Sequence, residues 1–540
     1  MGGRTLKSAT KGKVYKSSVR KLARFFERSR DQWKAKCQKA KARLKCLKSR
    51  VRFLEKSREW WREQAEELRR ELAQAQARER EMAEKLEALS GERDKEPVAL
   101  EGLADFALVP RWHQYSVGHV KLFISLVLSD AASMRCAGRV IGTVVSSLQL
   151  SLSSPAWSTG RFWILRLGYY KLMRPKEQAE DWVWIVDHTV QLGAEKCLVI
   201  LGVRLSAIPP CGECLSHEDV EPITLWPVEK SNGQVVYQQL EASVEKTGVP
   251  REIISDHGTD LKAGIEQFCQ NHQETSAIYD IKHKTAAVLK RELGRDPTWL
   301  EFARLAAQTK VKVQQTALAA LAPPNQRTKA RYMNVDVLIQ WGQSLLAFLD
   351  QEQAERNTAF DDEQIQAKLG WMTPFRQPLA EWGALLQVIM ATESYVRQRG
   401  LSQGIHLELE EQLKSLARTE QSQRVGAELI AFVAQEEAKA HPHERLLGSS
   451  EVIESVLGKV KRLEQDQAKS GFTGLLLAIS AMVSATTTDV VRQTLETVPT
   501  KRVLAWCQEN LGQSVQAKRR EALTSHGRAE QKWNQSWAST

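Results

Sequence analysis

The chain has 540 residues, of which 42% are hydrophobic and 26% are charged. This length exceeds one ordinary domain, and the composition provides for sizeable cores, so wholesale disorder is excluded. The longest apolar stretches, near 120–128 and 475–483, are shorter than the ~20 residues that cross a bilayer. We therefore expect no membrane protein, and no secretion signal is visible. The eight cysteines are scattered along the sequence, which is typical of a reducing compartment.

The positive charge is concentrated in an N-terminal arm. Residues 1–50 contain 18 Lys or Arg and two acids, a balance of +16, whereas the whole chain carries +12. The other 490 residues are therefore slightly acidic, at 12 − 16 = −4. Such an arm is typical of segments that bind a polyanion, and nucleic acid is the first candidate. An anionic membrane surface is the alternative, although the arm offers little apolar face to insert.

A heptad pattern follows the arm. From Leu47 to Leu89 the spacings of four and three alternate without a slip, and the segment contains neither Gly nor Pro. This pattern predicts a coiled coil, through which the chain would form a homo-oligomer. A lone solvated helix is the alternative.

Three helical segments are predicted over residues 111–175. The third, at 158–171, has Phe162, Leu165 and Tyr169 on one face. Three basic residues are left to point elsewhere: Arg161, Arg166 and Lys171. A packed inner face and a basic outer face are typical of the recognition helix of a helix-turn-helix domain, so these three residues are predicted to bind DNA. An ordinary three-helix packing domain is the alternative.

Strand-like sequence begins at Asp181. Three strands followed by alternating helices and strands up to about 292 predict an α/β domain with a mixed sheet. From there to about 445 the sequence predicts helices only, and a distinctive helix follows at 449–464.

Two aspartates follow apolar strands. Asp187 ends the run Trp-Val-Trp-Ile-Val, and Asp256 ends the run Glu-Ile-Ile-Ser. A carboxylate at such a place is costly unless it is paired, hydrogen-bonded or bound to a metal. Two of them at neighbouring strand ends suit Mg²⁺ or Mn²⁺. The alternative is that each aspartate caps a turn or a helix.

A third acid is predicted on the helix at 449–464. Glu454 lies beside that helix's apolar face, in one stripe with Gly458 and Lys461, and Lys461 would meet a phosphate. Glu393, in the run Met-Ala-Thr-Glu-Ser-Tyr, is the rival.

The order of two strand-borne aspartates and a helix-borne glutamate resembles that of RNase H-like DDE transposases, in particular the insertion-sequence and hAT/Mutator-like ones with a long helical insertion. The interval of 69 residues from Asp187 to Asp256 suits that family, and Asp280-Ile-Lys-His283 matches its C/D-x-x-H motif. The segment around Glu454, with Lys459 and Lys461, is also similar. The resemblance covers roughly residues 110–485.

The resemblance implies an active DNA transposase in which Asp187, Asp256 and Glu454 hold two Mg²⁺ or Mn²⁺ ions. It places Asp280, His283 and Lys461 near the site. Double-stranded DNA, at the element's ends and at the target, would be the partner. The compartment would be a nucleoid-associated cytoplasm, or the nucleus in a eukaryotic host. The alternatives are a nuclease, and a domesticated or inactive DNA-binding regulator that uses only the helix-turn-helix and the coiled coil.

The predicted organisation is a multidomain α/β plus α chain with an RNase H-like sheet interrupted by an all-helical insertion. Its parts are a basic arm (1–46), a coiled coil (47–90), a linker (91–110), a helix-turn-helix domain (111–175), the first part of the catalytic core (181–292), a helical insertion (293–445), the second part of the core (446–485) and a helical tail (486–540). Cys211 and Cys214 with His217 have the spacing of half a zinc site, or form an exposed loop with two chance cysteines.

Overall fold

The structure is a computed structural model that describes residues 101–147, 153–190, 195–325, 335–351, 360–465, 472–513, 515 and 517–523, with six single residues between 27 and 41. The predicted coiled coil and almost all of the basic arm and linker lie outside the described residues. The chain divides into two compact units. The larger comprises residues 96–308, 323–343 and 374–540, and the smaller includes 309–322 and 344–373.

A five-stranded mixed sheet forms the centre of the larger unit. Its strands are β1 (Trp182–Val190), β2 (Lys196–Arg204), β3 (Glu221–Val228), β4 (Glu252–Ser255) and β5 (Ser276–Tyr279). Their order across the sheet is β3-β2-β1-β4-β5. β1, β2 and β3 pair antiparallel, whereas β4 and β5 run parallel to β1. The predicted mixed α/β sheet is therefore confirmed.

The central strands are apolar along their whole length because helices cover both faces of the sheet. On one face, Trp184, Val186 and Ile253 pack against α5 (Gly233–Thr247) and α6 (Thr259–Asn271). On the other face, α14 (Glu451–Gln465) contacts β1. α14 buries the apolar stripe that its spacing predicts, including Ile453, Val456 and Val460.

The region between β5 and α14 contains helices and no strand among its described residues, as predicted. These helices are α7 (Ile281–Gly294), α8 (Pro297–Val313), α9 (Val335–Asp350), α10 (Asp362–Leu369), α11 (Arg376–Arg399), α12 (Ile405–Lys414) and α13 (Glu420–Glu437). Arg251, at the start of β4, joins this region to the sheet: its guanidinium forms an ion pair with Glu444 and donates to the carbonyl of Lys439. In the smaller unit, Leu318, Ile365 and Leu369 are buried.

A helical bundle contains the predicted DNA-binding helices together with part of the predicted tail. Its members are α1 (Glu101–Ala107), α2 (Val117–Leu128), α3 (Met134–Ser147), α4 (Trp157–Met173), α15 (Leu477–Met482), α16 (Thr488–Thr497) and α17 (Thr500–Asn510). Two glycines of α4 allow the close packing. A Cβ at Gly168 would lie 1.9 Å from the carbonyl oxygen of Leu477, and one at Gly160 would lie 2.0 Å from the ring of Phe123.

The burial of α4 contradicts the predicted orientation of two basic residues. Arg166 is buried and donates to the carbonyls of Leu495 and Val498. Lys171 is completely buried and donates to the carbonyls at the end of α15. The prediction that these two side chains face a DNA groove is therefore wrong, because α15, α16 and α17 cover the face of α4 that the sequence left open.

Arg161 is the predicted DNA-binding residue that keeps partial exposure. Its guanidinium lies 6.0 Å from the ring of Phe162, and burial lowers its pKa. Phe162 and Tyr169, predicted for the packed face, are only half-buried. Among the described helices, none is long and apolar enough to cross a membrane.

Candidate active site

Asp187 and Asp256 lie side by side at one edge of the sheet. Val186 of β1 pairs with Ser255 of β4 in parallel register, so the next residues along the two strands are the two aspartates. Neighbouring strands are about 4.8 Å apart. The register alone therefore brings the two carboxylates together, as the sequence predicted.

β1 does not end at Asp187, contrary to the prediction. It continues to Val190 because β2 pairs with it over that length, up to Val190 opposite Lys196. β4 stops at Ser255. Asp187 is consequently the first residue of β1 without a β4 partner beside it, and it lies where the sheet opens.

The Asp187 carboxylate carries poorly compensated negative charge. Burial first, then the neighbouring Asp256 and more weakly Glu454, raise its pKa to about 7. The backbone N–H of His188 donates to its Oδ1 at 2.6 Å and opposes the shift. The side chain is therefore held in a place where a cation would stabilise its charged form.

Asp256 begins a tight turn. Its Oδ1 accepts from the backbone N–H of Gly258 at 2.8 Å. His257, between them, has a φ of 55°, which is uncommon for a residue other than glycine. Its ring stacks on Tyr279, with ring centroids 4.2 Å apart. Burial first, and then Lys262 and Lys439, lower the pKa of His257 to about 4.

Buried Asp280 joins the starts of two helices. Its Oδ1 accepts from the backbone N–H of His283 and caps α7, while its Oδ2 accepts from the N–H and hydroxyl of Ser450, just before α14. One turn further along each helix, His283 and Glu454 meet. The resemblance placed Asp280 and His283 near the site, and the structure shows that Asp280 fixes the position of Glu454's helix.

Glu454 accepts from two cationic side chains of α7. His283 Nε2 lies 2.9 Å from its Oε1, and Lys282 Nζ lies 2.8 Å from its Oε2. Burial would raise the pKa of Glu454, but these hydrogen bonds outweigh it and hold the pKa below its usual value. Burial would lower the pKa of His283, but Glu454 and Asp280 raise it to about 8. Lys282 was not predicted as a site residue; the available signal was its position between Asp280 and His283 in the sequence.

Ligand atoms of Asp280, His283 and Glu454 lie within 4.8 Å of one another, close enough to hold a metal ion. Both Asp280 oxygens already accept hydrogen bonds, however. Among the residues that the structure describes, no other group of three such side chains is so tightly packed. The two aspartates therefore stand somewhat apart from Glu454 in this conformation, although their charges act on each other.

The other predicted site residues lie outside this group. Glu393 of α11 is half-buried and accepts from the hydroxyl of Thr285 of α7, and its partial burial raises its pKa. Lys461 is exposed, two helical turns along α14 from Glu454. Nothing lies within 4 Å of a Cβ placed at Gly458.

Cys211, Cys214 and His217, which have the spacing of half a zinc site, do not form a metal-ligand cluster among the described residues. Cys211 and Cys214 are exposed, and no cluster of metal-ligand side chains among the described residues includes them. His217 Nε2 instead lies 3.1 Å from the hydroxyl of Ser455.

The stability of the metal-free protein should fall as the pH rises from about 4 to about 7. Asp187 has an unfolded pKa near 3.9 and a folded pKa of about 7, so the folded state holds the proton in that window and the unfolded state does not. The loss should be about 4 kcal/mol at most. Asp187→Asn should remove it, so the variant should be more stable than the unmodified chain above pH 7.

Thermal unfolding in a chelator across a pH series measures this effect. Asp489→Asn is the matched control, because the Asp489 side chain is 71% exposed and its charge is solvated. The prediction fails if Asp187→Asn and the unmodified chain keep the same pH dependence.

Comparisons with known proteins do not indicate a function for this chain. No family model matches the chain, and a search of curated proteins finds no match.

Proposed function

We propose that this protein cuts and joins DNA strands by metal-dependent phosphoryl transfer, as a DNA transposase with an RNase H-like core. One observation carries the proposal: the strand register places Asp187 next to Asp256, and Glu454, from a distant part of the sequence, lies near enough to contribute to the raised pKa of Asp187. A role in folding alone does not require three acids at one partly open place, since like charges destabilise each other there.

The donor set fits divalent cations. The three side chains offer carboxylate oxygens, which Mg²⁺ and Mn²⁺ prefer, and the raised pKa of Asp187 marks negative charge that a cation would neutralise. Asp187, Asp256 and Glu454 would hold the ions. Bound ions would supply an activated water and stabilise the departing 3′ oxygen.

Side chains of this protein position the acids for that chemistry. Asp280 holds the start of α14 against α7, so Glu454 can move little along the helix axis. His283 and Lys282 hold the Glu454 carboxylate by charge-assisted hydrogen bonds. If Glu454 held a metal ion, the ammonium group of Lys282 would be available to a DNA phosphate.

The rest of the chain supports DNA as the substrate. The strand order β3-β2-β1-β4-β5, with helices only between β5 and the Glu454 helix among the described residues, is compatible with an RNase H-like core that has a helical insertion. The basic arm of residues 1–50 supplies phosphate-binding charge. The heptad segment supplies a means to pair two copies at two DNA ends.

A DNA-nicking assay tests the proposal directly. Supercoiled DNA incubated with the full chain should be nicked in Mg²⁺ or Mn²⁺ and remain intact in Ca²⁺ or a chelator. Mg²⁺ or Mn²⁺ should also raise the melting temperature, because a ligand that binds only the folded state stabilises it. Absence of both effects, with DNA binding intact, would reject the enzyme.

A DNA-binding regulator is the second candidate. It is favoured by the pairing of Glu454 with Lys282 and His283, because these cations satisfy the glutamate without a metal. Such a protein would bind DNA equally well with and without Mg²⁺, and its melting temperature would not respond to the ion.

A further inference from the structure

The bundle contains a long stretch of sequence without a single acid. From Ala131 to Lys176 the sequence has no Asp or Glu, but it has seven Lys or Arg. Two of the seven, Arg166 and Lys171, are buried in hydrogen bonds. Two more, Arg174 and Lys176, form ion pairs with Glu221. The unpaired positive charge of this stretch therefore comes mainly from Arg135 and Arg139, with the partly exposed Arg161.

Helix α3 presents two of these bases on an open face. Arg135 and Arg139 are exposed, as are Thr143 and Ser146 further along the same stripe. Spacings of four, four and three residues keep these side chains within about 80° of one another around the helix. Ala137 and Ile141, on the opposite side, are buried and attach α3 to the bundle.

A groove of about 930 Å³ runs along this stripe. Its other wall is the segment from Ser154 to Trp157, which begins α4. Gly138 and Gly142 face that wall, where a Cβ at Gly138 would lie 2.9 Å from the carbonyl oxygen of Pro155. The two glycines allow α3 to pack closely against this segment, and Arg135 and Arg139 also line the groove.

Trp157 closes one end of the groove and is 45% exposed. The Arg135 guanidinium lies 5.4 Å from the centre of its ring, so the tryptophan restricts the arginine to one region. Among the residues that the structure describes, no acidic side chain lines the groove. Arg135 and Arg139 thus have no lining carboxylate to compete with an outside anion.

We propose that this groove binds the sugar–phosphate backbone of DNA. The inference rests on the proposed function and moves the DNA contact of the bundle from α4 to α3. Arg135 and Arg139 are about 6 Å apart along the helix axis, which lets them reach neighbouring phosphates of one strand. Thr143 and Ser146 add hydroxyl donors, which also contact phosphates in DNA complexes.

The polar lining favours DNA over a protein partner. The exposed apolar residues of α3, Val140 and Val144, lie on an adjoining face, about 100° or more around the helix from Arg139. They do not line the groove. A protein partner would bind that apolar face. Its affinity would not show the salt dependence that is typical of phosphate contacts.

The double variant Arg135→Ala/Arg139→Ala tests the proposal. Fluorescence anisotropy with labelled duplexes of two unrelated sequences, over a salt series, gives the slope of log K against log salt. Each lost phosphate contact lowers that slope by about 0.9, so the double variant should lose about 1.8 units and weaken both duplexes alike. The difference in slope between the double variant and the unmodified chain can be measured even if the basic arm also binds DNA, because both proteins contain the arm.

Two matched comparisons make the result specific. Lys414→Ala/Arg418→Ala removes the same charge from exposed positions and should keep the slope. Thr143→Glu should weaken binding more than Thr143→Gln, which has the same shape without the charge. An unchanged slope in the double variant, or equal binding by the two Thr143 variants, would overturn the proposal and leave this face to a protein partner.

These results are separable from a failure of the catalytic proposal. If the groove is wrong but the enzyme is right, the double variant still shows the unmodified binding slope, and metal-dependent nicking persists. If the enzyme is wrong but the groove is right, the unmodified chain does not nick DNA, and the slope still drops in the double variant.

Discussion

Replacing Glu454 by glutamine should abolish metal-dependent nicking while preserving the fold and DNA binding. An amide has nearly the same size as the carboxylate but lacks the charge that holds a divalent ion. We expect a loss on the order of 10³-fold or more, as for removal of other groups that stabilise charge in a transition state. Asp187→Asn and Asp256→Asn should have the same effect. The nicking rate of supercoiled DNA in Mg²⁺ measures each loss.

Glu393→Gln is the matched control for Glu454→Gln. Glu393 is also a half-buried glutamate beside α7, but it accepts from Thr285, and desolvation raises its pKa. A neutral amide is therefore a mild replacement there, and nicking should stay within a few-fold of the unmodified rate. If Glu393→Gln lost nicking and Glu454→Gln kept it, Glu393 would be the third catalytic acid and Glu454 would not.

Glu454→Gln and Asp187→Asn also have a readout that does not depend on activity. Mg²⁺ should raise the melting temperature of the unmodified chain and of Glu393→Gln, but should barely change that of Glu454→Gln or Asp187→Asn. A full Mg²⁺ response in Glu454→Gln would mean that this carboxylate does not hold the ion.

Replacing Lys171 by methionine should destabilise the helical bundle by about 4 kcal/mol or more. Its ammonium group donates to the carbonyls of Ala481, Val483 and Ser484 and to the hydroxyl of Thr486. Methionine keeps the length of the side chain but leaves these buried acceptors unpaired, and each costs about 1–3 kcal/mol. The melting temperature should fall by about 10 °C.

Lys414→Met controls for the loss of a lysine. The Lys414 side chain is 61% exposed and pairs with Glu411 on the surface of α12, where solvent screens the ion pair. Its melting temperature should stay close to that of the unmodified chain. If Lys171→Met melted like Lys414→Met, the hydrogen bonds of Lys171 would have no structural role.

The sequence by itself determined the sheet and the positions of its polar edge residues. Alternation and apolar runs placed the five strands, because a strand buried on both faces must be apolar throughout. The ends of those runs marked Asp187 and Asp256, and the apolar stripe of α14 put Glu454 beside a buried face. These are local properties, since each depends on a few neighbouring residues and on a fixed helix or strand period.

Only the tertiary structure decided which faces are covered. The spacing in α4 predicted that Arg166 and Lys171 are exposed, yet the segment from Leu477 to Asn510 packs over them. No local sequence pattern near residue 166 indicates a contact with residues about 300 positions away. The same holds for Lys282 and Asp280, whose contacts with Glu454 and Ser450 span about 170 residues. Side-chain pairing across such separations depends on how helices stack against the sheet, which hydrophobic periodicity does not encode.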